Sequence, residues 1–502
     1  MKPIVNGLGK LSWRKRAYAV VLYATTAIAL PAQTLTVYSL DYGASPYAGL
    51  VQGTDGNLYG TTIQGGADGD GTVFKITTSG TLTPLYSFCV TSLCTGGAYP
   101  YAGLVQGTSG DFYGTANTAG TGEGTVFKIT PSGAVTALHT FCVNLSNYCP
   151  DGGSPYAGLV QATNGDFYGT NVSGGANGQG TVFKITPSGT LTTLYTFCSQ
   201  SECTDGYHAI GGLVQAADGD LYGTTENGGV NCAPYGCGTI FKITPSGTLT
   251  TIYTFCSQSS PCADGQYPTA TMIQATDGDL YGTTSGSVFG PDYNGTVFKI
   301  TPNGKLTTLY TFCSQPNCTD GWYPYAGLVQ ATDGNFYGTT TLGGVNCADN
   351  GGCGTVFKIT PSGALTTLYS FCSQNNCTDG SSPSAGLVQA TNGVLYGTTT
   401  FGGTTSGGGS NGGGTVFGLS VGLGPFVETQ TTAGKVGGAV KILGTDLTGA
   451  TSVSFNSTAA VFKVISSSLI ATTVPAGATS GKVQVVTPSG TLSSNVAFHV
   501  LP

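Results

Sequence analysis

Residues 212–255 read GLVQAADGDLYGTTENGGVNCAPYGCGTIFKITPSGTLTTIYTF, and this stretch decides the fold. Four segments in it, Gly212–Gln215, Asp220–Thr225, Gly238–Thr244 and Leu249–Phe255, are rich in β-branched or aromatic residues and are bounded by turn formers, the pattern of short strands. Asp218-Gly219 and Pro245-Ser246-Gly247 read as tight hairpin turns. A longer segment, 226–237, separates the second and third strands, and a cysteine-bearing segment follows each fourth strand. Tight and long connections therefore alternate.

The unit recurs along the chain. Tyr-Gly-Thr begins at Tyr59, Tyr113, Tyr168, Tyr222, Tyr281, Tyr337 and Tyr396, which gives seven units spaced by 54 to 59 residues. That period is too long for a solenoid repeat and fits a propeller blade of four short strands. The seventh unit stops after its third strand, Gly414–Leu419, and has no fourth. Leu35–Leu40 (LTVYSL) matches the missing strand. The chain is thus expected to be all-β, with a seven-bladed β-propeller closed by an N-terminal strand that removes the free sheet edges.

From Gly424 the repeat gives way to strand-rich sequence, including VKILGTDLTGATSVSFNSTAAVF from Val440 to Phe462 and ATTVPAGATSGKVQVVTPSG from Ala471 to Gly490. Alternating apolar positions and frequent turns over that length fit a C-terminal immunoglobulin-like β-sandwich.

The repeats resemble the bacterial GloVer tandem repeat, as in AGLVQATDGNFYGTT (Ala326–Thr340) followed by GTVFKITPSGALTTLYSF (Gly354–Phe371), over about residues 34–420. The C-terminal segment resembles an IPT/TIG domain. The first resemblance implies a secreted or surface-associated repeat protein and supplies no catalytic residues; the second implies a spacer or interaction module.

Residues 1–32 carry the parts of a secretory signal: basic Lys2, Lys10, Arg14, Lys15 and Arg16, an apolar run Ala17–Leu30, and a small residue at Ala32. The run falls short of the roughly 20 residues that span a bilayer. The expected organisation is a signal peptide at 1–32, the propeller at 33–420 and the IPT/TIG domain at 424–502, in a monomer that is secreted or held at the cell surface and has no membrane span after signal removal.

Five of the 16 basic residues belong to that leader, which leaves 11 Lys, no Arg and 23 acids. Nucleic acid needs Lys and Arg to displace counterions, and a bidentate phosphate clamp needs Arg, so nucleic acid is excluded as a partner. The 16 cysteines form eight close pairs: Cys89 and Cys94, Cys142 and Cys149, Cys198 and Cys203, Cys232 and Cys237, Cys256 and Cys262, Cys313 and Cys318, Cys347 and Cys353, Cys372 and Cys377. In an exported chain this spacing reads as local disulfides and not as a metal site, which favours C-x2-C with added His.

Candidate chemistry is sparse, and no cofactor, metal or catalytic residue is assigned. His139 occupies the place of Tyr195 and Tyr253 and reads as structural, His499 lies in the last strand, and His208 sits in a loop. Asp55, Asp218, Asp277 and Asp333, and likewise Asp205, Asp264, Asp320 and Asp379, recur with the repeat and read as turn formers. Asp68, Asp70, Glu123, Glu226, Asp292 and Asp349 break the pattern in the loop between second and third strands. Two of them would make the carboxylate pair of a glycoside hydrolase, and Asp68 with Asp70 weakly suggests calcium. Lys75, Lys128, Lys184, Lys242, Lys299 and Lys358 form a series whose stems are expected to pack while the ammonium groups pair with Asp or carbonyl oxygen.

A four-stranded meander places alternate connections on opposite faces, and the face that collects the long loops carries the best clue. Tyr42, Tyr47, Tyr99, Tyr101, Tyr156, Tyr207, Tyr267, Trp322, Tyr323 and Tyr325 fall in the segments leading into the first strands. From these, together with His208, we select Tyr101, Tyr156, Tyr207, His208, Tyr267, Trp322, Tyr323 and Tyr325 as candidate ligand contacts, since such rings stack on sugars or grip peptides. The sequence favours a non-catalytic binding protein for glycan or extracellular protein. A polysaccharide-cleaving hydrolase or lyase using loop carboxylates and a purely structural surface protein remain open.

Overall fold

The computed structural model describes residues 33–40, 44–89, 94–120, 122–143, 149–231, 236–257, 262–286, 294–346, 352–404 and 412–501. The leader at 1–32, Tyr42, Cys232, Cys347, Asp292 and Asp349 lie outside them. The chain is all-β, with one four-stranded antiparallel sheet for each of the seven repeats. In the unit quoted above, Val214–Gln215, Leu221–Thr225, Thr239–Ile243 and Leu249–Thr254 pair in chain order. The seventh sheet takes its fourth strand from the other end of the chain: Thr34–Ser39 runs antiparallel to Thr415–Ser420, with Thr34 opposite Ser420 and Ser39 opposite Thr415.

The repeated Tyr-Gly-Thr explains itself in the packing. The second strand is buried along its whole length in every sheet. Its glycine lets the phenylalanine of the third strand lie flat against the backbone, since a Cβ on Gly223 would stand 2.5 Å from Cζ of Phe241 and 2.8 Å from Cδ2 of Leu213. Its tyrosine crosses to the following sheet, where Tyr281 stacks on Phe336 with ring centroids 4.1 Å apart. Burial of each such ring contributes roughly 1.5–3 kcal/mol.

Polar groups join successive sheets in register. Each first strand ends in glutamine, whose Oε1 accepts a backbone N–H from the turn of the preceding unit: Gln106 from Thr54, Gln161 from Thr108, Gln215 from Thr163, Gln274 from Ala217, Gln330 from Thr276 and Gln389 from Thr332. The series returns to its start when Gln52 accepts from Thr391 at 2.9 Å. A second series runs from second-strand threonine hydroxyls to carbonyls of the next unit, from Thr61 to Ala102 through to Thr398 to Ala48. The threonine series is buried, so losing one of its partners costs about 1–3 kcal/mol, whereas the glutamine series lies nearer the surface and sets register more than stability.

Five of the six lysines in the series, all but Lys75, pair with hairpin-turn carboxylates among the described residues. Lys242 lies 3.0 Å from Asp218 and 2.7 Å from Asp220, and Lys299 repeats this with Asp277 and Asp279. Asp205, Asp264, Asp320 and Asp379 do more than shape turns, because they are buried and accept the hydroxyls of Tyr195, Tyr253, Tyr310 and Tyr369. His139 plays the tyrosine's part in the second unit, with Nε2 2.9 Å from Asp151. Disulfides join Cys89–Cys94, Cys142–Cys149, Cys198–Cys203, Cys256–Cys262, Cys313–Cys318 and Cys372–Cys377. Cys237 and Cys353 are also disulfide-bonded.

Residues 428–501 form two further four-stranded sheets and a short parallel pair around a core that includes Val440, Ile442, Val453, Phe455, Val483, Val485 and Phe498. This domain sits on the tight turns after the first strands. Gln430 and Lys441 donate to the carbonyls of Gly107 and Thr108, Ser468 to Thr54, and Asn495 to Gln330. Glu428 faces a cavity of about 140 Å³ at this junction, lined by Val329, Gln330, Val388 and Gln389 on the repeat side. Among the described residues, no helix is long and apolar enough to cross a membrane.

Candidate functional site

The segments leading into the seven first strands hold an unusual backbone. Ser45, Tyr99, Ser154, His208, Tyr267, Tyr323 and Ser382, at equivalent positions, all have left-handed φ between 45° and 59°. That conformation costs a non-glycine residue roughly 1–2 kcal/mol, so the surroundings must impose it. They do so from two sides. The N–H of each binds a carbonyl in the preceding unit, such as Tyr99 to Asp70 at 2.9 Å, His208 to Gln179 at 3.2 Å and Tyr323 to Asn294 at 3.3 Å. The C=O of each accepts from the residue just after its own second strand, as when Glu226 donates to His208 at 2.9 Å and Thr341 to Tyr323 at 3.1 Å.

Two residues further on, the side chains of all seven units converge. Tyr47, Tyr101, Tyr156, Ile210, Thr269, Tyr325 and Ser384 line one shared cavity of about 290 Å³. Its wall is drawn in by glycine: a Cβ on Gly103 would come within 2.9 Å of the carbonyl oxygen of Gly49, and one on Gly327 within 2.5 Å of that of Thr271.

The tyrosines touch one another around this cavity. Tyr101 packs edge-on against Tyr47 at 5.9 Å between centroids and tilted against Tyr156 at 4.7 Å. Tyr323 stacks on Tyr325 at 5.9 Å with 19° between planes. Burial raises the phenol pKa of Tyr47, Tyr156, Tyr323 and Tyr325, so these rings stay neutral donors and acceptors. The carboxylate of Glu226 is near enough to raise Tyr323 and Tyr325 further, and burial lifts the Glu226 carboxyl itself above the usual range.

The residues selected from sequence separate into two groups. Tyr101, Tyr156 and Tyr325 line the cavity, and Tyr323 abuts it through Tyr325. Trp322 packs against the hydrophobic cluster of Phe312, Leu328 and Phe336, and Tyr207 against that of Phe197 and Leu213. His208 has Nδ1 3.2 Å from Oδ1 of Asn227 and meets Tyr207 edge-on. Tyr267 is held through its carbonyl, which accepts from the N–H and Oγ of Ser285. Tyr47 lines the cavity and Glu226 stands beside Tyr323 and Tyr325 at its edge, although neither was selected. Aligning Pro-Tyr-Ala-Gly-Leu across the units would have found Tyr47, and Glu226 is the acid among Ile63, Asn117, Val172, Ser285, Thr341 and Thr400 at its repeat position.

Of the other acids considered for hydrolysis, Glu123 accepts the Ser173 hydroxyl and Asp70 engages the Tyr99 phenol. The clusters of metal-ligating side chains among the described residues are Cys237 with Cys256 and Cys262, Cys353 with Cys372 and Cys377, and Glu123 with Cys142 and Cys149. None of these residues lines the shared cavity.

A family model described as the Gloeobacter/Verrucomicrobia repeat matches residues 19–149, 141–348 and 233–426, and an IPT/TIG model matches residues 425–500. No curated protein matches the chain. Among solved structures, a fungal alcohol oxidase of the AA5 family in complex with copper is similar over 93% of this chain and 99% of its own, at 12% identity and a TM-score of 0.51. Puromycin hydrolase is similar over 72% of this chain and 54% of its own, at 13% identity and a TM-score of 0.45. At such identity the oxidase shares a fold with this chain and nothing further.

Proposed function

The chain belongs to the Gloeobacter/Verrucomicrobia repeat family, and we propose that it is an exported glycan-binding protein that performs no chemistry of its own. Its repeats are read as a seven-bladed β-propeller closed by the N-terminal strand, with the IPT/TIG domain as a docked second module. The glutamine series returning from Thr391 to Gln52 and the pairing of Thr34–Ser39 with the last sheet support closure. Disulfides within six cysteine pairs support an oxidising compartment.

One observation carries the binding reading: Tyr47, Tyr101, Tyr156 and Tyr325 meet at a cavity to which every unit contributes. Neutral aromatic faces ringed by hydroxyls suit the C–H faces and hydroxyls of a sugar. A hydrolase would need two carboxylates poised across one bond, whereas among the described residues Glu226 is the acid that acts on Tyr323 and Tyr325. The test is calorimetric titration of the mature chain with a panel of oligosaccharides. Saturable binding that Tyr101→Ala and Tyr156→Ala each weaken by about tenfold is expected, from loss of a stacking contact. Binding unaffected by both substitutions, or turnover of any oligosaccharide, would overturn it.

A further inference from the structure

Glu226 sets a carboxyl at the edge of this cavity, beside Tyr323 and Tyr325. Its equivalents in the other units are the neutral Ile63, Asn117, Val172, Ser285, Thr341 and Thr400. Its N–H donates to the carbonyl of His208 at the left-handed turn, and its carboxyl stands near Tyr323 and Tyr325, the second of which lines the cavity. Among the described residues, its carboxylate has neither an ion-pair nor a side-chain hydrogen-bond partner. The lysines that do pair are committed elsewhere, as Lys242, Lys299 and Lys358 are held at the tight turns by Asp218, Asp277 and Asp333.

A half-buried carboxyl beside two tyrosines and without a cation favours a positive group brought by the ligand. The negative face of each tyrosine ring attracts the same group, and an ammonium would offset the desolvation that now disfavours the ionised carboxyl. Resting on the glycan-binding reading above, we propose that this cavity selects a sugar bearing a free amine, a 2-amino-2-deoxyhexose unit. Its ring stacks on the tyrosines while its ammonium meets Glu226.

The probes are a glucosamine tetramer, its fully N-acetylated counterpart, a neutral glucose tetramer and tetralysine, each titrated into the full chain at neutral pH. The glucosamine tetramer is expected to bind at least about tenfold tighter than the other three, the discrimination a single charge-assisted and cation–π contact gives. Glu226→Gln should erase that preference, the glucosamine tetramer falling to about the affinity of the neutral tetramer. If the acetylated or neutral tetramer binds wild type as tightly as the amine form, the amine proposal fails and the glycan reading stands. Should tetralysine bind as tightly as the glucosamine tetramer, the ligand is an amine but not a sugar. Binding of no oligosaccharide overturns both.

Discussion

Thr391 donates its backbone N–H to Oε1 of Gln52 at 2.9 Å, although 339 residues separate them. That bond, with the Thr34–Ser39 pairing, joins the first and last sheets. Deleting residues 34–39 should leave Thr415–Ser420 with an unpaired edge, and the truncated chain should aggregate and melt well below the full chain. Gln52→Leu is the milder version, leaving one part-buried N–H without its partner at a cost of about 1 kcal/mol. Light scattering and urea denaturation read both. A truncated chain as stable and monomeric as the parent would remove the basis for a closed ring.

Gly223→Ala tests why the motif needs glycine. The added methyl would have to displace Phe241 or Leu213 from a filled interior, so a loss of about 1–3 kcal/mol is expected, read from the urea midpoint. A neutral substitution would mean that the sheet slides apart more easily than its packing implies.

Trp322 and Tyr156 should behave in opposite ways. Trp322 is packed against Phe312 and Leu328, so Trp322→Ala should cost about 2 kcal/mol of stability and leave oligosaccharide affinity within about twofold. Tyr156→Ala should do the reverse. Calorimetry and denaturation on the two variants decide, and a Trp322→Ala chain that is stable but no longer binds would move the site outward.

The repeat, its strands and the N-terminal completing strand were legible because each depends on local pattern and a fixed period. The side chains that face the cavity were harder to read. Trp322, Tyr323 and Tyr325 are close neighbours in sequence, but the left-handed turn at Tyr323 sends Trp322 towards the core and Tyr325 to the cavity. No strand alternation encodes that divergence. Asp205 was read as a turn former because its partner, the Tyr195 hydroxyl, is set by folding of the loop between them.

Glu428 should make stability depend on pH. Although the residue keeps solvent access, the protein packed around it at the domain junction raises its carboxyl pKa above the ordinary value of about 4.5, so the folded chain holds this proton slightly more tightly than the unfolded one. Its contribution is therefore most favourable below that ordinary value and declines as pH rises towards the raised one. Glu428→Gln should flatten this part of the curve, measured as the difference in melting temperature from wild type between about pH 4 and pH 8. If the two curves run parallel, the carboxyl is hydrated at the junction and exerts no such pull.

The seven left-handed residues are serine three times, tyrosine three times and histidine once, yet their φ values fall within 45° to 59°. The neighbouring units, and not the residue itself, dictate the backbone there. These positions therefore act as sockets: one side chain can be exchanged for another without redrawing the loop that carries it. A chain built this way can exchange the side chains beside the cavity one substitution at a time, while the sheets beneath keep their shape.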